Sequence, residues 1–169
     1  MDINDLKYKA VLNNKNLTLP KAKQKALAML SFRAYFKAEL LFNLEKEFGK
    51  NIAKQVLKRL EELGLINDLE LSKKYVQELF EKGFSNLLIT QKLEKKGVDR
   101  NLAKHVVKEF EQSVTQNSSQ RILKILNIKY PNFKSEKKIL NKAMSTLCRY
   151  GYSWEEIEDV TNSFRGTSF

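Results

Sequence analysis

"GLINDLELSKKYV", Gly64 to Val76, joins two helical patterns with almost nothing between them. "NIAKQVLKRLEEL" runs in with Ile52, Val56, Leu57, Leu60 and Leu63 at helical spacing, and "LELSKKYVQELFEK" runs out with Leu71, Tyr75, Val76, Leu79 and Phe80 on one face. Gly64 is suited to the left-handed conformation that ends a helix. Leu65 and Ile66 are expected to plug the junction, and Asn67 or Asp68 to cap the next helix within two residues. So short a joint fixes the angle between the helices on either side.

Working outward, the same punctuation recurs. Thr18-Leu19-Pro20 reads as a helix start, with Pro placed where its missing N–H is harmless. Further helices run up to Gly49, Gly64, Gly83, Gly97 and Gly151, with Ser85 and Asp99 as caps. The last helix opens on a capping box, Ser153 with Glu156, flanked by Tyr152 and Ile157 as a hydrophobic staple. Residues 113–118, "SVTQNS", form a polar joint. About nine helices emerge, in threes.

The threes resemble one another. Leu93, Gly97 and Val106 recur as Leu147, Gly151 and Val160, and more loosely as Leu44, Gly49 and Val56. An internal repeat of this length is the mark of stacked units that cannot bury their apolar faces alone. The fold expected is all-α, an elongated, curved array of tandem three-helix repeats. The divisions are an N-terminal extension 1–19, then 20–66, 67–113, and 114–169 with the C-terminal tail.

The chain has 169 residues, six Gly, two Pro and one Cys, which excludes an internal disulfide framework. No apolar run approaches the length needed to span a bilayer, and the first residues lack a secretory pattern, so a reducing cytoplasmic setting is expected. The net charge is +11 and unevenly placed. Residues 113–152 hold eight Lys or Arg against one acidic residue, whereas 33–112 hold sixteen against thirteen. Concentrated positive charge points to a phosphate backbone or an acidic protein surface.

With these elements in place, the sequence resembles the RecX-type regulators of the RecA recombinase. The resemblance rests on Arg33 with Glu39-Leu40, and on the corner Ile66-Asn67-Asp68 with Leu71-Ser72 and Tyr75-Val76. It continues through Lys82-Gly83, Ile89, Leu93 and Lys96-Gly97, then Leu147, Gly151-Tyr152-Ser153 and Ile157, covering about Lys25 to Phe164. The sequence departs from the family pattern at Tyr35-Phe36, Asn67, Leu71 and Phe84-Ser85. The resemblance implies a non-enzymatic modulator that binds the RecA filament on single-stranded DNA. It implies depressed ATP turnover, strand exchange and co-protease activity. The alternative is a helical nucleic-acid-binding module without a recombinase partner.

Charge placement selects Arg121, Lys124, Lys137, Lys138, Lys142 and Arg149 as anion-facing residues, with Lys92, Lys95, Lys96 and Arg100 behind them. Tyr130, Phe133, Tyr150 and Tyr152 mingle with the same basic stretch, leaving an aromatic contribution open. Catalytic chemistry finds no support: His105 has no ligand-spaced partner, Cys148 has no base beside it and reads as a packing residue, and the Glu61-Glu62 and Glu155-Glu156 pairs diverge on a helix. Trp154 reads as a packing residue of its helix. No cofactor, metal or small-molecule substrate is expected, and the chain is taken as a monomer.

Overall fold

A computed structural model describes residues 3–165, with side chains described for 18–162 and 164. Nine helices and no strand occur among the described residues: α1 Ile3–Phe32, α2 Lys37–Phe48, α3 Lys50–Glu62, α4 Asp68–Glu81, α5 Asn86–Lys95, α6 Arg100–Ser113, α7 Ser118–Lys129, α8 Lys137–Arg149 and α9 Trp154–Arg165. The chain divides into two compact units. The first comprises residues up to Leu71 with Lys96–Val98, and the second Ser72–Lys95 with residues from Asp99 onward.

In the first unit, Ala22 and Ala26 of α1 pack with Leu40, Leu44, Ala53, Val56, Leu57, Leu60 and Ile66. One expectation fails here. Pro20 lies inside α1 and does not start it, because the helix begins at Ile3. A proline inside a helix removes one backbone donor, and the remaining bonds of the helix carry on past it. The reading of 1–19 as a separate extension otherwise falls largely on residues whose side chains lie outside those described.

The opening corner is built as a helix-ending motif with one change of partner. Gly64 has φ +67°, its N–H bonds to the Glu61 carbonyl at 2.9 Å, and the Leu65 N–H bonds to the Leu60 carbonyl at 2.9 Å. Ile66 is buried as expected, but Leu65 is 48% exposed and plugs nothing. Its backbone, not its side chain, serves the corner. Asn67 caps α4, accepting the Glu70 N–H at 3.1 Å. Asp68 instead accepts the Lys37 N–H at 2.8 Å, so its carboxylate holds the first turn of α2.

In the second unit, Ile122, Ile125, Leu126, Phe133, Leu140, Met144, Leu147, Tyr152 and Ile157 form one core, with Phe164 edge-on to Phe133 at 5.5 Å. The internal repeat is visible in burial: Leu44, Leu93 and Leu147 are all buried, as are Val56, Val106 and Val160. The glycine between each pair has a positive φ. The last capping box forms as read, with Ser153 N–H to Glu156 Oε2 at 2.8 Å and Glu156 N–H to Ser153 Oγ at 3.1 Å.

Candidate nucleic-acid interface

The basic face of the second unit is held in place by two corners that interlock. Gly83 closes α4 and Gly151 closes α8. The Ser85 N–H donates to the Tyr150 carbonyl at 2.8 Å, and the Ser85 hydroxyl donates to the Gly151 carbonyl at 2.7 Å. The Tyr152 hydroxyl reaches the Gly83 carbonyl at 3.1 Å. A Cβ on Gly151 would stand 2.5 Å from both Leu88 Cβ and Ser85 Oγ, so backbone and side chain meet here as closely as a glycine permits. Ser85, which departs from the family pattern, supplies a donor at the point of approach.

Arg121 completes this junction and so leaves the anion-facing set. It is only 5% exposed. Its Nη1 donates to Asn86 Oδ1 at 3.0 Å, its Nη2 donates to the Phe84 carbonyl, and its guanidinium stands 4.0 Å from the Phe80 ring centroid. Burial pushes its pKa down, opposed by the nearby Tyr152 hydroxyl. The same burial pushes the Tyr152 phenol up. Charge placement puts Arg121 with the anion-facing residues; the two acceptors on the α4–α5 corner draw the side chain inward.

The other selected residues of α7 and α8 are exposed. On α8, positions 138, 142 and 149 fall within about 40° of one another at 3.6 residues per turn, so Lys138, Lys142 and Arg149 make one stripe. Lys137 lies a step around the helix, on the side of Asn141 and Cys148. No acidic residue occurs within α7 or α8. Arg149 is steadied by Thr146 Oγ1 at 3.0 Å, which also meets the Tyr130 hydroxyl at 2.7 Å.

The residues placed behind them divide. Lys95 is exposed, Lys92 sits 4.8 Å above the Phe84 ring, and Arg100 pairs with Glu94 at 3.6 Å. Lys96 belongs to the first unit, where it pairs with Glu39 at 3.7 Å. There Glu39 also takes Arg33 in a two-pronged pair, at 2.7 and 3.3 Å, and Arg33 lies 3.6 Å from the Tyr35 ring. The hydrogen bond from Arg33 holds the Glu39 carboxyl below the usual carboxylate range.

Two further expectations are corrected. Cys148 is exposed on α8, because the buried side of that helix falls on Leu140, Ala143, Met144 and Leu147. Trp154 is 54% exposed, the packing at the start of α9 being done by Tyr152 and Ile157.

Sequence reasoning missed a cleft of about 500 Å³ beside Lys124. Phe80, Phe84, Ile125, Ile128 and Tyr150 line it, with Lys82 and Lys129 at its edge. The signal for it was Ile128, an apolar residue at a polar position of α7, which is 68% exposed.

Fold and surface together define a class: a basic all-α protein of three-helix repeats that presents its cations from rigid helices. No family model matches the chain. It is 30% identical over 166 residues to a regulatory protein RecX of Clostridioides difficile, covering 95% of this chain and 75% of that one. A regulatory protein RecX of Listeria welshimeri is 29% identical over 139 residues, covering 80% of this chain and 51% of the relative. The chain thus spans about half the length of that second relative. Among solved structures, RecX from Lactobacillus salivarius matches the fold with a TM-score of 0.66 and 21% identity, over 88% of this chain and 97% of that one. A second RecX crystal structure matches with a TM-score of 0.69 and 19% identity, over 96% of this chain and 79% of that one. The chain belongs to the RecX family of regulatory proteins. No helix among the described residues is long and apolar enough to cross a membrane.

Proposed function

We infer that the protein binds the filament that RecA forms on single-stranded DNA and lowers its ATPase, strand-exchange and co-protease activities. It acts as a non-enzymatic, monomeric regulator in the cytoplasm, with residues 20–66, 67–113 and 114–169 as successive recognition units. The observation that supports this most is the pair α7–α8, which carries Lys124, Lys137, Lys138, Lys142 and Arg149 outward with Glu136 as the one acidic residue between them. Holding uncompensated charge together is unfavourable unless an anionic partner arrives. Lys92, Lys95 and Arg100 add to this set, and Lys96 to the first unit's surface.

The mechanism that fits is occupancy. Helices anchored through interlocked corners present cations at fixed spacing, so binding costs little ordering of the backbone. A regulator seated on successive protomers restrains the motions that ATP turnover requires. The test is DNA-dependent ATP hydrolysis by the cognate recombinase, with the protein well below one per recombinase monomer. Strong inhibition is expected. Unchanged hydrolysis alongside tight binding to naked DNA would replace this reading with a helical nucleic-acid-binding module lacking a recombinase partner.

A further inference from the structure

We propose that the cleft between the α4–α5 corner and α7 is a nucleotide subsite for single-stranded nucleic acid. One base lies against Tyr150 and Ile128, and its phosphate is held by Lys124 and Lys129. This deepens the filament reading and rests on it for the source of the strand.

The volume of about 500 Å³ is within the range of small-molecule sites. Its floor is aromatic: Phe84 and Tyr150 have ring centroids 5.1 Å apart, and Phe80 lies below the Arg121 guanidinium. Its rim is cationic, with Glu81 as the single acidic lining residue. Lys124 forms no ion pair among the described residues, and neither does buried Arg121. With Glu111 and Glu156 acting on Arg121 only from beyond ion-pair distance, this buried cation still raises the potential of the space beside it, since little water screens it. Flat apolar walls with cations at the edge suit a base joined to a phosphate.

Lys129 bonds to the Tyr150 hydroxyl and lies 4.8 Å from that ring's centroid. A base taking this face moves the ammonium aside, toward the phosphate the base carries. A duplex keeps its bases stacked inside and offers only phosphates, so the cleft selects single strands. An acidic peptide would satisfy the lysines but leave the flat floor without a matching ring.

The test compares binding of the whole chain to a short labelled oligothymidylate and to an abasic strand of equal phosphate count, by fluorescence anisotropy. The thymidylate is expected to bind about tenfold more tightly. Tyr150→Leu removes that preference. Ile128→Ala, at an exposed position that cannot unfold the core, narrows it. Lys124→Ala weakens both strands alike. Equal binding of the two strands, or a preference untouched by Ile128→Ala and Tyr150→Leu, overturns the subsite. So does tighter binding of polyglutamate than of the thymidylate at matched charge, which would assign the cleft to acidic peptides. The readout needs no recombinase: loss of the preference with ATPase inhibition intact removes the subsite alone. A preference without inhibition upholds the subsite and removes the filament reading.

Discussion

Arg121 shows how a residue's role follows from the acceptors within reach and not from its charge. With Asn86 Oδ1 and the Phe84 carbonyl both engaged, truncation would strand a buried acceptor and empty the space above Phe80. Arg121→Ala is expected to lower unfolding free energy by roughly 2–4 kcal/mol in urea titration. Arg121→Lys should fail to restore it, because a compact ammonium lacks the planar, separated donors that reach Asn86 and the Phe84 carbonyl from above the Phe80 ring. Two carboxylates in the first unit carry opposite pH signatures. Arg33 lowers the Glu39 pKa, so its contribution is complete above the ordinary carboxylate value and is lost as pH falls through the lowered one. Burial raises the Asp68 pKa, so its contribution is present below the ordinary value and is lost as pH rises through the raised one. Thermal melts between pH 3 and 7, a range of about ordinary carboxylate titration, should therefore separate the two variants. Glu39→Gln destabilises at neutral pH and flattens the acid limb. Asp68→Asn leaves stability at neutral pH equal or higher, since the amide oxygen still accepts the Lys37 N–H.

The helices are specified by their ends as much as by their faces. Gly64 and Gly151 look equivalent in sequence, and both have positive φ, at +67° and +88°. Nothing stands within 4 Å of a Cβ built on Gly64, whereas one on Gly151 meets Leu88 and Ser85 at 2.5 Å. Gly64→Ala should cost only the left-handed backbone penalty, about 1 kcal/mol. Gly151→Ala should cost roughly 3 kcal/mol or more, because the α4–α5 corner must also move. Denaturant midpoints of the two variants, compared side by side, check this. Equal losses would show that the interlocked corners yield more freely than their geometry implies.

At the scale of the molecule the decisive quantity is where the net charge of +11 is held. If α8 contributes phosphate contacts on single-stranded DNA, each lysine lost from its stripe lowers the salt dependence of binding in proportion. Lys138→Ala and Lys142→Ala should each reduce the slope of log K against log salt by about 0.7, and the double variant by about 1.4. Binding titrations over a salt series measure it. A slope unchanged in the double variant would place the phosphate contacts elsewhere.

The sequence alone determined the helical class, the positions of the corners and the repeat of Leu, Gly and Val, because these depend on local backbone conformation and on the period of burial within one helix. It also located the charge on α7 and α8. It could not tell Arg121 from Lys124, bury Ile66 while exposing Leu65, send Asp68 to α2 in place of α4, or reveal the cleft beside Ile128. Those outcomes depend on which acceptors and rings distant segments bring within a few ångströms, and only the packed helices set such distances.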